Sequence, residues 1–326
     1  MIEFLASESW IKPQIDFLVV LQNIRTEHFE FLNEFFLSVT VLGEFWLPTL
    51  ICSIVYWCID SKKGVFLFSL MGVEFVVAHF LKMIACVYRP WILSDRVKPV
   101  DIAMVYAKGY SFPSGHSITS ASILGGVAYA FRKYKILSIL LIIAVLLVGF
   151  SRMWLGVHTP QDVFVGLIIG FGLVFCMSKI IDWAEKDTKR YLYLMLILNS
   201  IVFLAFIYVH YFNHYPVDYV DGKILVDYQH MFEVAMCCWG YALGLANGVM
   251  LCRRFLPFIA SEGSLAKKIL RGVIGAASVL FLLNYAVEYS FLNVKDYKIA
   301  FLIPFVVGIF ITLIYPAIFV RAKWLR

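Results

Sequence analysis

Three short stretches of the chain concentrate cations, histidines and a carboxylate. They are residues 82–90, KMIACVYRP, residues 113–116, PSGH, and residues 151–162, SRMWLGVHTPQD. Cations and helix starts hold anions, imidazoles attack or protonate, and a carboxylate orients an imidazole. Together these residue types indicate chemistry on a group that carries several negatively charged oxygens.

The cations of these stretches predict a site for phosphate. Lys82, Arg89 and Arg152 lie near the ends of apolar runs, where an unpaired cation is expensive and usually marks a partner. Arginine offers a planar fork for two phosphate oxygens and lysine a point charge. Pro113 to Gly115 is typical of a helix start, where Gly115 and Ser114 add an N–H and a hydroxyl donor. We therefore expect Lys82, Arg89, Ser114, Gly115 and Arg152 to bind phosphate.

Two histidines accompany this cluster. One imidazole of the pair His116 and His158 can attack phosphorus as a nucleophile, and the other can protonate the departing oxygen. Asp162 lies four residues after His158, close enough to hold one ring nitrogen and leave the other free. Asp162 also fits a helix start, as the acidic third residue after a Thr159 cap and a first-turn proline. The two roles are compatible.

The same stretches carry a family resemblance. They match the KxxxxxxRP, PSGH and SRxxxxxHxxxD motifs of the type 2 phosphatidic acid phosphatase (PAP2) superfamily, with eleven fixed positions in preserved order. The chain resembles that superfamily over about residues 41–210, and most closely its membrane lipid phosphatases. The resemblance implies that His158 is the nucleophile, that Asp162 orients it and that His116 is the general acid. It also implies that no metal or other cofactor is needed.

The composition indicates a membrane protein. Of 326 residues, 62% are hydrophobic and 15% are charged, and the mean hydropathy is +0.83. Soluble domains are about half apolar and about a quarter charged. The seven cysteines form no CxxC pair, so neither a zinc site nor a disulfide framework is indicated. The expected partner is a lipid phosphate from the bilayer, and nothing in the sequence indicates nucleic acid.

The apolar runs predict an all-α integral membrane protein, a helical bundle of about nine transmembrane spans. The runs cover about residues 41–59, 64–84, 115–131, 136–150, 160–181, 191–210, 231–251, 271–289 and 298–320. Residues 1–40 mix apolar and charged positions and are expected to form an amphipathic arm at the interface. Residues 41–210 would form a six-span catalytic core, and residues 211–326 would add three further spans.

The loop charges predict the orientation. Cations gather in alternate connections, which the positive-inside rule assigns to the cytoplasm. They are Lys62, Lys63, Arg132, Lys133, Lys135, Lys186, Lys189, Arg190, Arg253, Arg254, Lys267, Lys268, Arg271, Arg321, Lys323 and Arg326. The segments 85–114, 151–159 and 211–230 would then face the periplasm, the extracellular space or a lumen. The chemistry-bearing stretches all belong to that side.

The expected function is hydrolysis of a lipid phosphate or diphosphate through a phosphohistidine on His158. A phosphotransferase with the same intermediate is the first alternative, and a lipid transporter or scramblase that retains the pocket is the second. The sequence does not decide which lipid is the substrate: the candidates are an isoprenoid diphosphate, phosphatidylglycerol phosphate, phosphatidic acid and a sphingoid-base phosphate.

Three further cations lie in the loop between the first two motif stretches. Arg96, Lys98 and Lys108 either contact an anionic headgroup or lie on the membrane surface. No oligomeric state is predicted.

Overall fold

The protein is described by a computed structural model over residues 8–105, 107–220, 223–256, 258–292 and 296–321. The predicted all-α class is confirmed. The described strands are a two-residue antiparallel pair, β1 (Tyr219–Val220) with β2 (Lys223–Ile224). Lys323 and Arg326, two of the cations used to orient the chain, lie outside the described residues.

Fourteen α-helices occur in the described residues. They are α1 (Glu8–His28), α2 (Leu32–Thr40), α3 (Trp46–Ile54), α4 (Ser61–Ala85), α5 (Pro90–Leu93), α6 (Asp101–Val105), α7 (Gly115–Ala130), α8 (Lys135–Trp154), α9 (Pro160–Glu185), α10 (Arg190–Ile207), α11 (Tyr228–Phe255), α12 (Leu265–Leu292), α13 (Tyr297–Ile309) and α14 (Tyr315–Arg321). A 3₁₀ turn, Val41–Gly43, follows α2, and π-helical turns follow α3, α10 and α13.

The chain is a multi-pass membrane protein. Within the described residues, six helical segments are long and apolar enough to cross a bilayer: Ser61–Leu93, Lys135–Trp154, Pro160–Glu185, Arg190–Phe212, Tyr228–Phe255 and Tyr297–Arg321. A seventh is possible if Leu32–Gly43 and Trp46–Ile59, which meet at a 53° bend, count as one span.

The count of nine spans is not confirmed. Two predicted runs, 115–131 and 271–289, are not among the segments that qualify. The first forms α7, whose 16 residues fall short of the roughly 20 that a helix needs to cross the hydrocarbon. The second belongs to α12 (Leu265–Leu292).

The chain divides into two compact units. The first comprises Met1–Glu44, Ala78–Phe171 and Val209–Met231, and the second comprises Phe45–Val77, Gly172–Tyr208 and Phe232–Arg326. The predicted division at residues 40 and 210 stays a prediction. Every residue singled out above for chemistry belongs to the first unit.

In the first unit, the N-terminal helices pack on α8. Phe36 of α2 contacts Phe150 and Trp154 of α8, with ring centroids 5.5 and 5.0 Å apart. The buried guanidinium of Arg25 in α1 donates at 2.6 Å to the carbonyl of Trp154 and at 2.6 Å to that of Lys98. The N-terminal helices therefore support the end of α8, where one of the motif stretches begins.

In the second unit, glycines let α11 and α13 approach closely. Gly240 and Gly244, one turn apart on α11, lie so near α13 that added Cβ atoms would come within 2.1 Å of the Phe301 carbonyl oxygen and 2.2 Å of that of Phe305. Small residues at this spacing allow close helix contact in membranes, where there is little hydrophobic drive between helices.

Candidate active site

The predicted site residues are carried by the ends of five helices and one loop. Lys82 is in the last turn of α4, and Arg89 caps the start of α5. Ser114 caps α7, which begins with Gly115 and His116. Arg152 is in the last turn of α8, His158 is in the following loop, and Asp162 is in the first turn of α9. All eight lie in the first unit.

The three cations are buried. Lys82, Arg89 and Arg152 are 9%, 5% and 3% exposed. The ammonium of Lys82 donates to the carbonyls of Tyr110 at 3.1 Å and Ser111 at 3.2 Å, which leaves its third N–H available. Arg89 donates through Nε to the carbonyl of Gly109 at 3.1 Å and through a terminal nitrogen to that of Val157 at 2.9 Å. Carbonyls hold these side chains in place but do not neutralise them.

Arg152 is held from the N-terminal side of the chain. A terminal nitrogen of its guanidinium donates at 2.6 Å to the hydroxyl of Thr40, at the end of α2. Its Nε is buried and has no hydrogen-bond partner in the described part of the chain. A buried donor without a partner is costly, so this N–H is positioned for a ligand.

The charges around the site do not balance. Three buried cations act on His158, whereas the carboxylates that act on them are Asp162 and, on Arg152, Glu44. Buried charges need partners to offset the loss of hydration. A multiply charged anion would satisfy the excess. In the described residues, no three His, Cys, Asp or Glu side chains group as metal ligands.

The loop that carries His158 is fixed by the end of α8. Gly156 adopts a positive φ of 74°, and its N–H donates to the carbonyl of Met153 at 3.0 Å while that of Val157 donates to Arg152 at 3.1 Å. This is the Schellman motif, in which glycine takes the left-handed position after the helix. The carbonyl of Arg152 also accepts from the His158 N–H at 3.3 Å. Arg152 therefore contributes twice: its guanidinium is a predicted phosphate ligand, and its carbonyl holds the loop that carries the His158 imidazole.

The Asp162 carboxylate contacts both the start of its own helix, α9, and the His158 imidazole. Its Oδ2 accepts from the backbone N–H of Thr159 at 2.8 Å and lies 3.4 Å from Nδ1 of His158. Asp162 therefore accepts a hydrogen bond at its helix start and lies beside the imidazole. The same oxygen accepts from the hydroxyl of Ser111 at 2.6 Å.

The other ring nitrogen of His158 faces the cations. Nε2 lies 2.9 Å from a terminal nitrogen of Arg89. Burial, and then the charges of Arg89, Lys82 and Arg152, hold the pKa of His158 well below its usual range. The imidazole is therefore neutral at pH 7 and retains the lone pair that a nucleophile needs.

The start of α7 completes the arrangement. Ser114 accepts from the hydroxyl of Ser117 at 2.9 Å, which leaves its own O–H free to donate. A Cβ added at Gly115 would lie 4.0 Å from Cε of Lys82, so the lysine passes the helix start closely. The charges of Arg152, Arg89 and Lys82 reach His116. The structure thus brings the predicted residues to one place.

The three loop cations have different surroundings. Arg96 pairs with Asp16 at 2.7 Å, and the backbone N–H of Lys98 donates to Gln22 at 2.5 Å. Lys108 is exposed and lines a cavity of about 410 Å³ that also contacts Arg89. Of the three, Lys108 is the one beside the site, and a headgroup contact there stays a prediction.

Two hydroxyls of the site were not foreseen from the sequence. Thr40 lies outside the motif stretches, and its contact with Arg152 joins residues 112 positions apart. Ser111 lies two residues before the PSGH stretch and touches both His158 and Asp162. Only the second had a signal in the sequence, a small polar residue next to a motif.

The fold and the site geometry define a class: multi-pass helical membrane proteins with a buried, cationic site that contains histidines. Comparison with known families identifies the family within that class. The model of the PAP2 superfamily matches residues 63–186, and that of the "PAP2 superfamily phosphatase, transmembrane extension" matches residues 236–325. The chain therefore belongs to the PAP2 superfamily.

The chain is also similar to several curated proteins over part of its length. Phosphatidylglycerophosphatase B of Bacillus subtilis (strain 168) is 29% identical over 172 residues, 49% of this chain and 78% of the relative. Undecaprenyl-diphosphatase BcrC of the same organism is 36% identical over 126 residues, 38% of this chain and 61% of the relative. The bacitracin transport permease protein BcrC of Bacillus licheniformis is 30% identical over 118 residues, 36% of this chain and 57% of the relative. No solved structure matches the chain.

Proposed function

We propose that this protein is a metal-independent lipid phosphate phosphatase, or lipid diphosphatase, that works through a phosphohistidine on His158. The observation that carries the proposal is the surplus of buried positive charge around His158, whose Nε2 faces Arg89 at 2.9 Å and whose Nδ1 lies on the side of Asp162. An anion binder needs the cations but not an oriented, neutral imidazole among them. The names of the relatives, two of which are lipid phosphatases, support the substrate class.

In the first step, Nε2 of His158 forms a bond to phosphorus as the bond from phosphorus to the leaving oxygen breaks. The bound phosphate offsets the cations that otherwise disfavour a charge on His116, so His116 enters this step protonated. It donates that proton to the leaving oxygen, and the lipid leaves as an alcohol, or as a monophosphate when the substrate is a diphosphate. Lys82, Arg89 and Arg152 stabilise the charge that builds up on the phosphoryl oxygens, together with the Ser114 hydroxyl and the Gly115 N–H.

In the second step, water attacks phosphorus and the bond to Nε2 breaks. His116, now neutral, takes the proton of that water, and inorganic phosphate leaves while His158 returns to its neutral form. Asp162 keeps the ring orientation and offsets positive charge on the imidazole while phosphorus is bound. Three buried cations supply the positive charge that a metal provides in other phosphatases. The proposed reaction therefore needs no metal ion.

The site is proposed to face away from the cytoplasm. The support is the loop charge: from the alternation of the predicted spans, Lys62, Lys63 and the cluster at residues 132–135 are expected on the opposite side from the site loops. A lipid would then enter from the outer leaflet.

The direct test is phosphate release by the purified protein in detergent with excess EDTA. The panel contains an isoprenoid diphosphate, phosphatidylglycerol phosphate, phosphatidic acid and a sphingoid-base phosphate. Release that persists in EDTA and is lost in His158→Ala is expected, and the fastest lipid identifies the substrate class. Absence of release from every lipid, with protein that elutes as a single folded species, would contradict the proposal.

Two other functions would produce different results. A phosphotransferase would yield a new phosphoester with a lipid or sugar hydroxyl instead of free phosphate. A transporter is the class named for one relative, and it would move lipid equally well in His158→Ala. The oriented, neutral His158 favours catalysis over both transport and simple binding.

A further inference from the structure

We propose that Ser111 is a positioning residue that bridges Asp162 and His158 and holds the imidazole of His158 in the orientation that attacks phosphorus. This inference rests on the proposed function, because it concerns the same nucleophile. Ser111 is not one of the fixed positions in the three motifs.

The proton on His158 is placed by Arg89. A guanidinium has only N–H donors and no acceptor. Since a terminal nitrogen of Arg89 lies 2.9 Å from Nε2, Nε2 must be the acceptor in this pair. A neutral imidazole with an acceptor at Nε2 carries its hydrogen on Nδ1.

The hydrogen on Nδ1 then has two neighbours. Oγ of Ser111 lies 3.2 Å from Nδ1, and Oδ2 of Asp162 lies 3.4 Å from it. The longer distance is outside the ordinary range for an N–H···O hydrogen bond, and the shorter one is at its limit. The Ser111 hydroxyl is therefore the better-placed acceptor.

The hydroxyl can accept that hydrogen because its own proton is used elsewhere. Ser111 lies 2.6 Å from Oδ2 of Asp162, where only the serine can donate to an ionised carboxylate. The chain thus runs from Nδ1–H to the serine oxygen, and from the serine O–H to the carboxylate. Asp162 also accepts the Thr159 N–H at 2.8 Å, so the serine extends the reach of a carboxylate that is already fixed at a helix start.

The backbone of Ser111 is held on both sides. Its N–H donates to the carbonyl of Val87 at 2.7 Å, and its own carbonyl accepts from the ammonium of Lys82 at 3.2 Å. The residue is fully buried. One residue therefore connects the phosphate-binding Lys82 with the orientation of the nucleophile, which is the arrangement expected of a supporting group around a catalytic centre.

The first test is the steady-state kinetics of Ser111→Ala on the best lipid of the panel. We expect kcat to fall about ten- to hundredfold, the loss typical of one buried hydrogen bond to a charged group, with KM within about twofold of the original. The matched control is Ser120→Ala, which removes a buried hydroxyl that donates within α7 to the Ser117 carbonyl, and it should retain full activity. Unchanged kcat in Ser111→Ala would overturn the proposal.

The second test measures the tautomer directly, and it does not depend on turnover. In protein labelled with ¹⁵N-histidine, the His158 signal, assigned by its loss in His158→Gln, should report hydrogen on Nδ1 and a lone pair on Nε2. Because Arg89 keeps Nε2 an acceptor in both proteins, Ser111→Ala should leave the hydrogen on Nδ1 and move its ¹H resonance upfield, since that hydrogen loses its acceptor, whereas Ser120→Ala should not move it. An unchanged Nδ1–H resonance in Ser111→Ala would overturn the bridging role even if activity falls. If the unmodified protein releases no phosphate, the proposed function fails, while this measurement still decides the role of Ser111.

Discussion

At the scale of single residues, the site is defined by charges that the fold buries without balancing. Lys82, Arg89 and Arg152 are each less than a tenth exposed, and their protein partners are mostly neutral oxygens. Such an arrangement costs stability unless an anion binds. The residues that hold these cations in place should therefore influence substrate affinity as strongly as the cations themselves.

Thr40 offers a test of this idea, because it holds Arg152 from outside the motifs. Thr40→Val keeps the side-chain shape and removes the acceptor at 2.6 Å. Loss of a buried hydrogen bond to a charged group costs about 1.5–3 kcal/mol, so we expect kcat/KM to fall about tenfold or more, mainly through KM. Ser38→Ala, which removes an exposed hydroxyl on the same helix that donates to the Glu34 carbonyl, is the control. Equal kinetics in the two variants would show that Thr40 does not position Arg152.

The pH dependence of stability tests the environment of His158. Its pKa in the folded chain is held low by burial and by Arg89, Lys82 and Arg152, whereas an unfolded histidine titrates near 6.5. Below about pH 6.5 the unfolded chain therefore binds a proton that the folded one does not, so acid lowers the free energy of unfolding by up to about 1.4 kcal/mol per pH unit.

The measurement compares thermal unfolding in detergent at about pH 7.5 and about pH 5.5 for the original protein and His158→Gln. The original should lose more of its apparent Tm on acidification than the variant, since His116 and all other groups are common to both. A greater loss in His158→Gln would mean that His158 is not held neutral.

At the scale of elements, glycines decide how closely α9 approaches the start of α7. A Cβ at Gly166 would come within 2.9 Å of the Ser114 carbonyl oxygen, and one at Gly170 within 2.5 Å of the Ala121 side chain. These two glycines, one turn apart, let Asp162 at the start of α9 lie beside the Ser114 turn, where the Ser114 N–H donates to the Asp162 carbonyl at 3.0 Å.

Gly166→Ala should therefore separate α9 from the site. Overpacking of this kind costs about 1–3 kcal/mol, and we expect a lower Tm together with a loss of kcat/KM. The same exchange at Gly172 is the matched control, because a Cβ there meets nothing within 4 Å. If Gly172→Ala proved as harmful as Gly166→Ala, helix contact would not be the cause.

The sequence was informative about elements wherever a local pattern decides the outcome. The proline and acidic residue after Thr159 predicted the start of α9, and the apolar runs predicted most long helices. The run at 115–131 is not confirmed as a span because α7 ends at Ala130, after 16 residues. Ser111 and Thr40 could not be placed, since their contacts depend on how distant segments pack rather than on spacing along the chain.

At the scale of the whole molecule, the orientation in the membrane is the main prediction still to be tested. Single cysteines introduced at Lys108 and at Lys133, both exposed, would be labelled in intact cells with a membrane-impermeant maleimide, against the parent protein as background. The site loops should face outward, so Lys108→Cys should react before lysis and Lys133→Cys only after it. The reverse pattern would place the active site on the cytoplasmic side.

The proposed function requires a phosphohistidine on His158, and trapping this intermediate tests that function directly. The protein would be mixed with the best lipid carrying ³²P in its terminal phosphate, quenched within milliseconds in alkali, and mapped by mass spectrometry after digestion. We expect acid-labile, alkali-stable phosphate on His158, absent from His158→Ala and more abundant in His116→Ala with a substrate whose leaving group needs no proton. Phosphate found on any other residue, or catalysis that survives in His158→Ala, would contradict it.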